Sequence, residues 1–330
     1  MINQHITIFI PTYNNETTIL DTLQSIERQK TNQIRKIIII DDGSTDQTID
    51  LINNHIKTSH IEFNFIKNTK PTGLSRKYNK AIDLVKTELL IIMHADIVIE
   101  RNNAIEKYYK IMENESNVAA ISKIRHRFED WKKFTFWEKC EFDRFLMSQR
   151  HFLAAKFDIY RVSALKKVGK FDAEKYYAGG EDADLWLKLE KLGNIIKSEN
   201  VYIHKQSFAK DYSLFRLIYR SARYAEAAGA VLKNHYSQYS LIDLMLLFFR
   251  EFLTLFFVIG LVIYLLFEIS LLLIAAIFLF ILFSFANTKN TYLYSGMNPR
   301  ILILPFVNVC LIFVSNFFVL RGFIRGKEVL

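Results

Sequence analysis

Three clusters of polar side chains directly follow apolar, β-branched runs in the N-terminal part of the chain. Ligands of open parallel sheets bind outside the carboxyl ends of the strands, so residues in these places are the first candidates for chemistry. Each cluster alone is also ordinary turn or helix N-cap sequence, but three together favour a ligand site. The clusters are Pro11-Thr-Tyr-Asn-Asn-Glu16 after Ile6–Ile10, Asp41-Asp-Gly-Ser-Thr-Asp46 after Lys36–Ile40, and His94-Ala-Asp96 after Leu89–Met93.

A fourth cluster, Gly179-Gly-Glu-Asp-Ala-Asp-Leu185, is acidic and opens a predicted helix over Glu181–Leu192. The helix dipole favours carboxylates in the first turn, which alone would account for Glu181, Asp182 and Asp184. It does not account for the two glycines before them. This fourth cluster is therefore also a candidate for chemistry, separate from the three strand-end clusters.

The elements that must position these clusters alternate between strands and amphipathic helices. Continuous isoleucine runs suit strands that are covered on both faces, so we expect a parallel, doubly wound α/β sheet. The predicted strands are Ile6–Ile10, Lys36–Ile40, Ile61–Ile66, Leu89–Met93, Val118–Ile121 and, later, Ile195–Ile203; the helices between the first five are Glu16–Gln29, Thr45–Ile56, Ser75–Lys86 and Asn102–Asn114.

Together these motifs resemble the family 2 glycosyltransferases of the GT-A fold, over roughly residues 5–205. The resemblance implies a Rossmann-like catalytic domain that takes a sugar from a nucleotide-diphosphate sugar and inverts the anomeric centre. It also implies that the strand-end clusters, with Gly73-Leu-Ser-Arg-Lys77, bind the donor. The residues that match are Pro11, Thr12, Tyr13, Glu16, Asp41, Asp42, Arg76, His94 and Asp96.

The family's Asp-x-Asp motif binds a divalent cation, Mg²⁺ or Mn²⁺, that bridges the donor diphosphate. Here His94 replaces its first carboxylate, while Asp96 matches the metal-binding second one. Three roles are open to His94: orienting the ribose, ligating a softer ion such as manganese, or filling space. His204 resembles a late histidine that reaches metal or diphosphate in relatives, and a structural role is the alternative.

The Glu181-Asp182 pair matches the Glu-Asp motif in which the aspartate is the general base of inverting enzymes. An inverting displacement needs a carboxylate to take the acceptor's hydroxyl proton, so we assign the base to Asp182 and acceptor binding to Glu181. Polyprenyl-phosphate sugar synthases, the alternative, attack with an ionised phosphate and need no base. Processive synthases are disfavoured because no Gln-x-x-Arg-Trp segment follows between Lys188 and Tyr239.

Residues 123–170 interleave aromatic and charged side chains. One interpretation is a helix whose aromatics pack on the sheet, and the other is contact with the acceptor or a membrane surface. The aromatic residues are Trp131, Phe134, Phe136, Trp137, Phe142 and Phe145.

Composition limits the remaining classes. The formal net charge of +9 favours anionic partners, but no nucleic-acid-binding module is recognisable, so we expect no nucleic acid. Two distant cysteines, Cys140 and Cys310, disfavour a disulfide framework or a Cys-based zinc site, and a reducing compartment is the default expectation. An inactive membrane scaffold is a remote alternative, because His94 interrupts the metal motif.

Apolar stretches at Phe252–Phe267, Ile269–Ala286 and Ile301–Leu320 predict two to three membrane segments. We expect a cytosolic catalytic domain at residues 1–210, an amphipathic juxtamembrane helix at 211–240 and a transmembrane region at 241–330, hence a multi-pass protein of the cell membrane. Three full spans would place the basic C-terminus outside, against the positive-inside tendency. Either the third stretch is re-entrant or the first two do not form a simple hairpin.

The juxtamembrane helix carries Arg216, Arg220 and Arg223, spaced four and three residues apart along one side. One interpretation is general attraction to anionic headgroups. The other is that Arg220 or Arg223 binds the diphosphate of a lipid-linked saccharide acceptor in bidentate fashion.

Overall fold

A computed structural model describes residues 5–151, 155–177, 179–205, 212–247 and 249–329. The chain divides into two compact units. The sheet unit comprises Met1–Asp130 and Met147–Gln206, and the helical unit comprises Trp131–Leu146 and Ser207–Leu330. The domain boundary predicted at residues 210–211 lies outside the described residues.

The helices and strands are as follows in chain order. The strands are β1 Ile6–Thr12, β2 Ile34–Asp41, β3 Glu62–Lys67, β4 Leu89–Met93, β5 Ile97–Ile99, β6 Asn117–Arg125, β7 Phe157–Arg161 and β8 Asn194–His204. The helices are α1 Ile19–Glu27, α2 Thr48–Thr58, α3 Leu74–Leu84, α4 Ala104–Met112, α5 Phe128–Lys132, α6 Phe136–Phe142, α7 Val162–Lys167, α8 Glu181–Leu189, α9 Leu214–His235, α10 Leu241–Leu247, α11 Phe249–Phe267, α12 Leu271–Asn287, α13 Lys289–Tyr294 and α14 Leu304–Arg325.

The sheet has eight strands in the order β3-β2-β1-β4-β7-β6-β8-β5. The first four positions are parallel, as the isoleucine runs predicted. The expectation of a wholly parallel sheet is wrong beyond β4, because β7 runs antiparallel to both β4 and β6, and β5 antiparallel to β8. The fold class itself is confirmed: a mixed, mostly parallel Rossmann-like sheet with helices, followed by a helical region.

The core of the sheet unit is built from β-branched side chains that both faces cover. Ile37 to Ile40 of β2 are all fully buried, which is why this run forms a central strand. Tyr78 and Ile82 of α3 pack on the same cluster as Phe9 of β1. This packing fixes α3 against the carboxyl ends of β1 and β2.

The predicted helix at Glu16–Gln29 is shorter than expected, because α1 begins only at Ile19. The backbone amides of Asn15 and Glu16 instead donate to Thr48 Oγ1 and Asp46 Oδ2, at 2.7 and 3.1 Å. The segment after β1 is therefore a loop that is tied to the loop after β2.

The aromatic segment at Trp131–Leu146 belongs to the helical unit. Phe136 and Trp137 of α6 pack with Tyr212, Leu217 and Leu304. A capping box between Thr135 and Glu138 starts the helix. These two aromatics thus pack on helices of their own unit, and not on the sheet as the first of the two interpretations expected.

Within the helical unit, α9 and α14 lie side by side and run in the same direction. Leu217 shares a cluster with Leu304 near their first turns, and Asn234 Nδ2 donates to Gly326 O, at 3.0 Å, near their ends. Gly322 is the closest approach, since a Cβ there would lie 1.9 Å from the carbonyl oxygen of Glu226. The buried Glu226 side chain also pairs with Arg321, at 3.1 Å.

One helical stretch of the described chain, Pro299–Arg325, has the length and apolar composition of a membrane span. The two other apolar stretches, Phe252–Phe267 and Leu271–Asn287, are shorter than about 18 residues, the usual lower bound for a span. They meet at Glu268, which has a positive φ of 57°. The predicted multi-pass topology is therefore not supported.

We predict that Gly322→Ala lowers the free energy of unfolding by about 1–3 kcal/mol, because its methyl group forces α9 and α14 apart. Gly260→Ala in α11 is the matched control, since a Cβ there meets its nearest atoms at 3.1 Å. Thermal unfolding in detergent measures both variants. Equal unfolding temperatures for the two would contradict the close helix crossing.

Candidate active site

The loops that follow β1 and β2 are joined by hydrogen bonds at the carboxyl edge of the sheet. Asn14 N donates to Ser44 Oγ at 2.8 Å, and Thr45 N donates to Asn14 Oδ1 at the same distance. Thr12 Oγ1 donates to Asp41 Oδ2 at 3.1 Å. Two of the clusters found in the sequence therefore form one continuous surface.

Asp41 is fully buried and satisfied by its own loop. Its Oδ1 accepts from the backbone amides of Gly43 and Ser44, at 3.0 and 2.9 Å, and Ser44 Oγ donates to Oδ2 at 2.5 Å. This is Asx-turn chemistry. In this structure Asp41 shapes the loop.

Asp42 is held by a buried lysine. Its Oδ2 lies 3.1 Å from Lys77 Nζ, while Oδ1 accepts from Asn68 Nδ2 at 3.0 Å and Thr72 Oγ1 at 2.9 Å. Burial opposes ionisation, but the hydrogen bond from Asn68 and the charge of Lys77 outweigh it and lower the pKa of Asp42. Asp42 is therefore an ionised acceptor at the edge of the surface.

Arg76, the basic residue that the sequence favoured here, does not pair with Asp42 but with Glu174. Its side chain is mostly exposed and its Nη2 is 3.5 Å from Glu174 Oε1. Among the other predicted donor residues, Pro11 is buried in β1, Tyr13 is 50% exposed, and Glu16 Oε2 accepts from Gln47 N at 3.0 Å. The exposed ring of Tyr13 is available to stack on a base.

His94 lies at the end of β4 and is bound by a tyrosine from α3. Tyr78 Oη and His94 Nε2 are 2.6 Å apart. Burial, followed by the positive charge of Lys156, lowers the pKa of His94 to about 3. A neutral imidazole in this place carries none of the negative charge that a carboxylate would.

Asp96 and His204 meet, as the resemblance implied, but a lysine joins them. His204 Nε2 is 3.2 Å from Asp96 Oδ2 and 2.9 Å from Lys156 Nζ, while His204 Nδ1 is 3.2 Å from His126 Nε2. Burial would raise the pKa of Asp96, but the charges of His204 and Lys156 lower it. Asp96 Oδ1 is buried and accepts no hydrogen bond from the described residues.

Asp182 lies in the first turn of α8, after Gly180, whose φ of 85° favours glycine. Burial raises the pKa of Asp182 to about 6, although the amide of Ala183 donates to Oδ1 at 2.8 Å. Glu181 is 7% exposed. Burial and then the charges of Glu181 and Asp182 raise the pKa of Tyr78, which links this turn electrostatically to His94.

Asp158, in the middle of β7, is a buried acid that the sequence analysis did not single out. Burial raises its pKa to about 7, against hydrogen bonds from Ser122 N at 3.2 Å and Tyr160 Oη at 3.5 Å. The charge of Asp182 adds to this increase. Asp158 therefore adds to the acidic character around Asp182.

Arg220 and Arg223 lie in the helical unit, each with a carboxylate partner. Arg220 Nε is 3.4 Å from Glu141 Oε1, and its Nη2 donates to Tyr224 Oη at 2.9 Å. Arg223 Nη2 is 3.3 Å from Glu328 Oε1. Both guanidinium groups thus serve ion pairs within that unit.

Residues 7–169, about half of the chain, match the sequence profile of "Glycosyl transferase family 2". A relative from Campylobacter jejuni subsp. jejuni serotype O:2, named "GalNAc(5)-diNAcBac-PP-undecaprenol beta-1,3-glucosyltransferase", is 26% identical over 237 residues, which cover 71% of this chain and 70% of the relative. "O-antigen chain rhamnosyltransferase WbaN" of Salmonella anatum is 32% identical over 120 residues, 35% of each chain. The "Teichoic acid poly(glycerol phosphate) polymerase" of Staphylococcus epidermidis is 34% identical over 91 residues, so this chain spans 12% of it.

Two solved structures share the fold at low sequence identity. One is a "Mannosyltransferase PcManGT from Pyrobaculum calidifontis in complex with GDP-Man and Mn2+", with a TM-score of 0.56, 13% identity and coverage of 99% of this chain and 89% of that one. The other is GalNAc-T7 with UDP, GalNAc and Mn2+, with a TM-score of 0.51, 14% identity and coverage of 70% and 48%. Both likenesses concern the fold alone.

The residues around Asp96 do not fit the divalent ion that those two structures contain. A metal held jointly by Asp96 and His204 would need the lone pair of His204 Nε2, but that nitrogen either donates its proton to Asp96 or accepts one from Lys156. In both cases the lone pair is unavailable. The described residues also include no group of three His, Cys, Asp or Glu side chains that could hold a metal.

We predict that Lys77→Ala weakens nucleoside-diphosphate binding and destabilises the sheet unit by about 3–5 kcal/mol, because it strands the buried carboxylate of Asp42. Arg76→Ala is the matched control in the adjacent position, and it should stay near wild type because the Arg76–Glu174 pair is solvent-exposed. Thermal unfolding and titration with UDP and GDP measure both effects. If Arg76→Ala proved the more damaging variant, the assignment of Lys77 would be wrong.

Proposed function

The chain is a glycosyltransferase with a family 2 domain at residues 7–169, and from that premise we propose a specific reaction. It moves one sugar from a nucleoside-diphosphate sugar to a hydroxyl group of a lipid-linked saccharide, with inversion at the anomeric carbon, at a membrane surface. Such a reaction serves the assembly of cell-surface glycans. The donor loops and the acid at the start of α8 support it.

The single observation that carries this proposal is the environment of Asp182. Its pKa of about 6 leaves the carboxylate ionised at neutral pH, yet makes it more basic than an ordinary aspartate. It can therefore accept the acceptor's hydroxyl proton while that oxygen attacks the anomeric carbon, opposite the leaving diphosphate. Glu181 beside it is assigned to binding the acceptor sugar.

On the donor side, the joined loops after β1 and β2 provide a base-and-ribose surface. Tyr13 stacks on the base, and Asp42, held ionised by Lys77, accepts hydrogen bonds from the nucleoside. The hydrogen bond from Thr12 to Asp41 holds the ends of β1 and β2 together below these loops. Lys77 thus replaces Arg76 as the basic residue of this segment.

A hydroxyl acceptor on a lipid-linked saccharide is supported by two observations. The relative from Campylobacter jejuni aligns with 71% of this chain, and its name includes a PP-undecaprenol-linked saccharide. An ionised phosphate acceptor would not need the base that Asp182 provides, which disfavours the polyprenyl-phosphate sugar synthase alternative.

Membrane attachment through the helical unit is proposed to be interfacial. Because α14 and α9 run side by side, a transmembrane α14 would take Arg216, Arg220 and Arg223 of α9 into the hydrocarbon, at a cost of about 3 kcal/mol or more each. We propose that this pair lies along the cytoplasmic membrane surface, while the apolar α11–α12 hairpin enters the bilayer. The basic C-terminal residues then stay on the cytosolic side, as positive-inside topology favours.

We predict that Asp182→Asn reduces transfer by about 10²–10⁴-fold and leaves the donor Kd nearly unchanged, because the base acts on the acceptor. In the wild type, kcat/KM should fall as pH drops below about 6, since Asp182 is then protonated. Glu190→Gln, an exposed acid at the end of the same helix, is the control. If Asp182→Asn keeps more than about half of the wild-type turnover, Asp182 is not the general base.

The reaction as a whole is tested with purified full-length chain, a panel of nucleotide sugars and undecaprenyl-diphosphate-linked saccharides as acceptors. We expect transfer of one sugar, with the opposite anomeric configuration from the donor in the product's NMR spectrum. A retained configuration would exclude the inverting displacement. If no reaction of the panel consumes the nucleotide sugar, the inactive scaffold is favoured.

Recognition of the acceptor diphosphate by Arg220 and Arg223 stays a prediction, and their ion pairs define how to test it. Replacing both with Gln should raise the KM for the lipid-linked acceptor about tenfold, while replacing both with Lys restores headgroup attraction but not bidentate binding. Because Glu141 and Glu328 lose their partners, unfolding temperatures must be measured alongside. If the Lys variant transfers sugar at the full rate, specific diphosphate binding is excluded and general attraction to anionic headgroups is the remaining explanation.

A further inference from the structure

Lys156 reaches the centre of the site because of strand pairing. β7 lies antiparallel to β4, with Met93 opposite Phe157, and one step further His94 N donates to the carbonyl oxygen of Lys156 at 3.0 Å. The lysine therefore faces the segment His94–Asp96 across the end of the sheet. Its half-buried side chain extends to His204 Nε2, at 2.9 Å.

The charges of this centre balance without a dication. A pair of carboxylates in the Asp-x-Asp arrangement carries two negative charges, which a divalent cation neutralises. Here a histidine occupies the first position, which leaves Asp96 as the one carboxylate of the motif. One ammonium group is enough to compensate one carboxylate.

Lys156 also acts electrostatically on Asp96 and Asp182. Burial raises the pKa of Asp182, and the charge of Lys156 is among the influences that oppose this increase. The same ammonium contributes to the low pKa of Asp96. The same positive charge thus acts on both the strand-end motif and the start of α8.

We propose, on the basis of the nucleoside-diphosphate donor proposed above, that the ammonium group of Lys156 takes the place of a divalent cation in this enzyme. The ammonium group of Lys156 donates hydrogen bonds to oxygens of the donor diphosphate as a compact point charge. During transfer, the acceptor oxygen forms a bond to the anomeric carbon and the bond to the diphosphate oxygen breaks. Its electron pair stays on the leaving diphosphate, the proton goes to Asp182, and Lys156 remains protonated throughout.

The first test is binding, which needs no acceptor. UDP and GDP are titrated in turn into the full-length chain in detergent, with excess EDTA or with Mn²⁺ or Mg²⁺. For the nucleoside diphosphate that binds, we expect Kd values in EDTA and in metal to agree within about threefold, since the cation belongs to the protein. Sugar transfer should likewise persist in EDTA.

Variants locate the effect. Lys156→Ala should weaken nucleoside-diphosphate binding in EDTA about tenfold or more, whereas Lys156→Arg keeps the positive charge and most of the affinity. Lys123→Ala is the matched control, because Lys123 is a similarly buried lysine of the sheet unit that pairs with the exposed Glu199. The double variant His94→Asp with Lys156→Ala restores two carboxylates, so its binding should become dependent on Mn²⁺.

The outcomes separate this inference from the proposed function. If the wild type binds and transfers with Mn²⁺ but loses both in EDTA, the lysine does not replace the metal, while the glycosyl-transfer proposal stands. If Lys156→Ala and Lys123→Ala bind equally well in EDTA, Lys156 is also excluded. If neither nucleoside diphosphate binds under any condition and the nucleotide-sugar panel gives no transfer, the proposed function itself fails. The chelator comparison uses the wild type alone, so it remains decisive even where a variant does not fold.

Discussion

The antiparallel pairing of β7 with β4 is the constraint on which the site depends. β1 to β4 form a parallel half-sheet whose carboxyl ends carry the loops proposed to bind the donor. β7 enters beside β4 in the opposite direction, so its beginning, and not its end, lies at that same edge. Lys156 is thereby placed opposite His94. The same strand carries Asp158, whose pKa is raised by burial and by the charge of Asp182.

The pKa values of two carboxylates, Asp96 and Asp182, are moved in opposite directions, and this difference agrees with the separate roles proposed for them. Asp96 is ionised because His204 and Lys156 stabilise its charge more than burial opposes it. For Asp182 burial dominates, and its pKa rises to about 6. A permanently ionised group organises cations and ligands, whereas a group that titrates near neutral pH can exchange protons. Neither role depends on the identity of the donor sugar.

The parallel half of the sheet could be predicted because its isoleucine runs are buried on both faces. β5, of three residues, and β7, whose apolar run is interrupted by Asp158, gave no comparable pattern. Lys77 was passed over for Arg76 because neighbouring residues on a helix point about 100° apart, and only packing decides which one faces inward. Lys156 lies beyond sequence reasoning altogether, since its position follows from the register of β7 on β4.

The contacts of α14 bear on how the helical unit meets a membrane. By length and apolar content, Pro299–Arg325 qualifies as a span. Its close partner α9 carries the buried Glu226, which accepts from Val329 N at 3.1 Å and pairs with Arg321. Helix α14 shares an ion pair and a close glycine crossing with the charged helix α9, so α9 stabilises it. The apolar residues of α14 then need contact with lipid on one side only. The interfacial attachment proposed above would satisfy both faces, whereas full insertion of the pair would desolvate the arginines of α9.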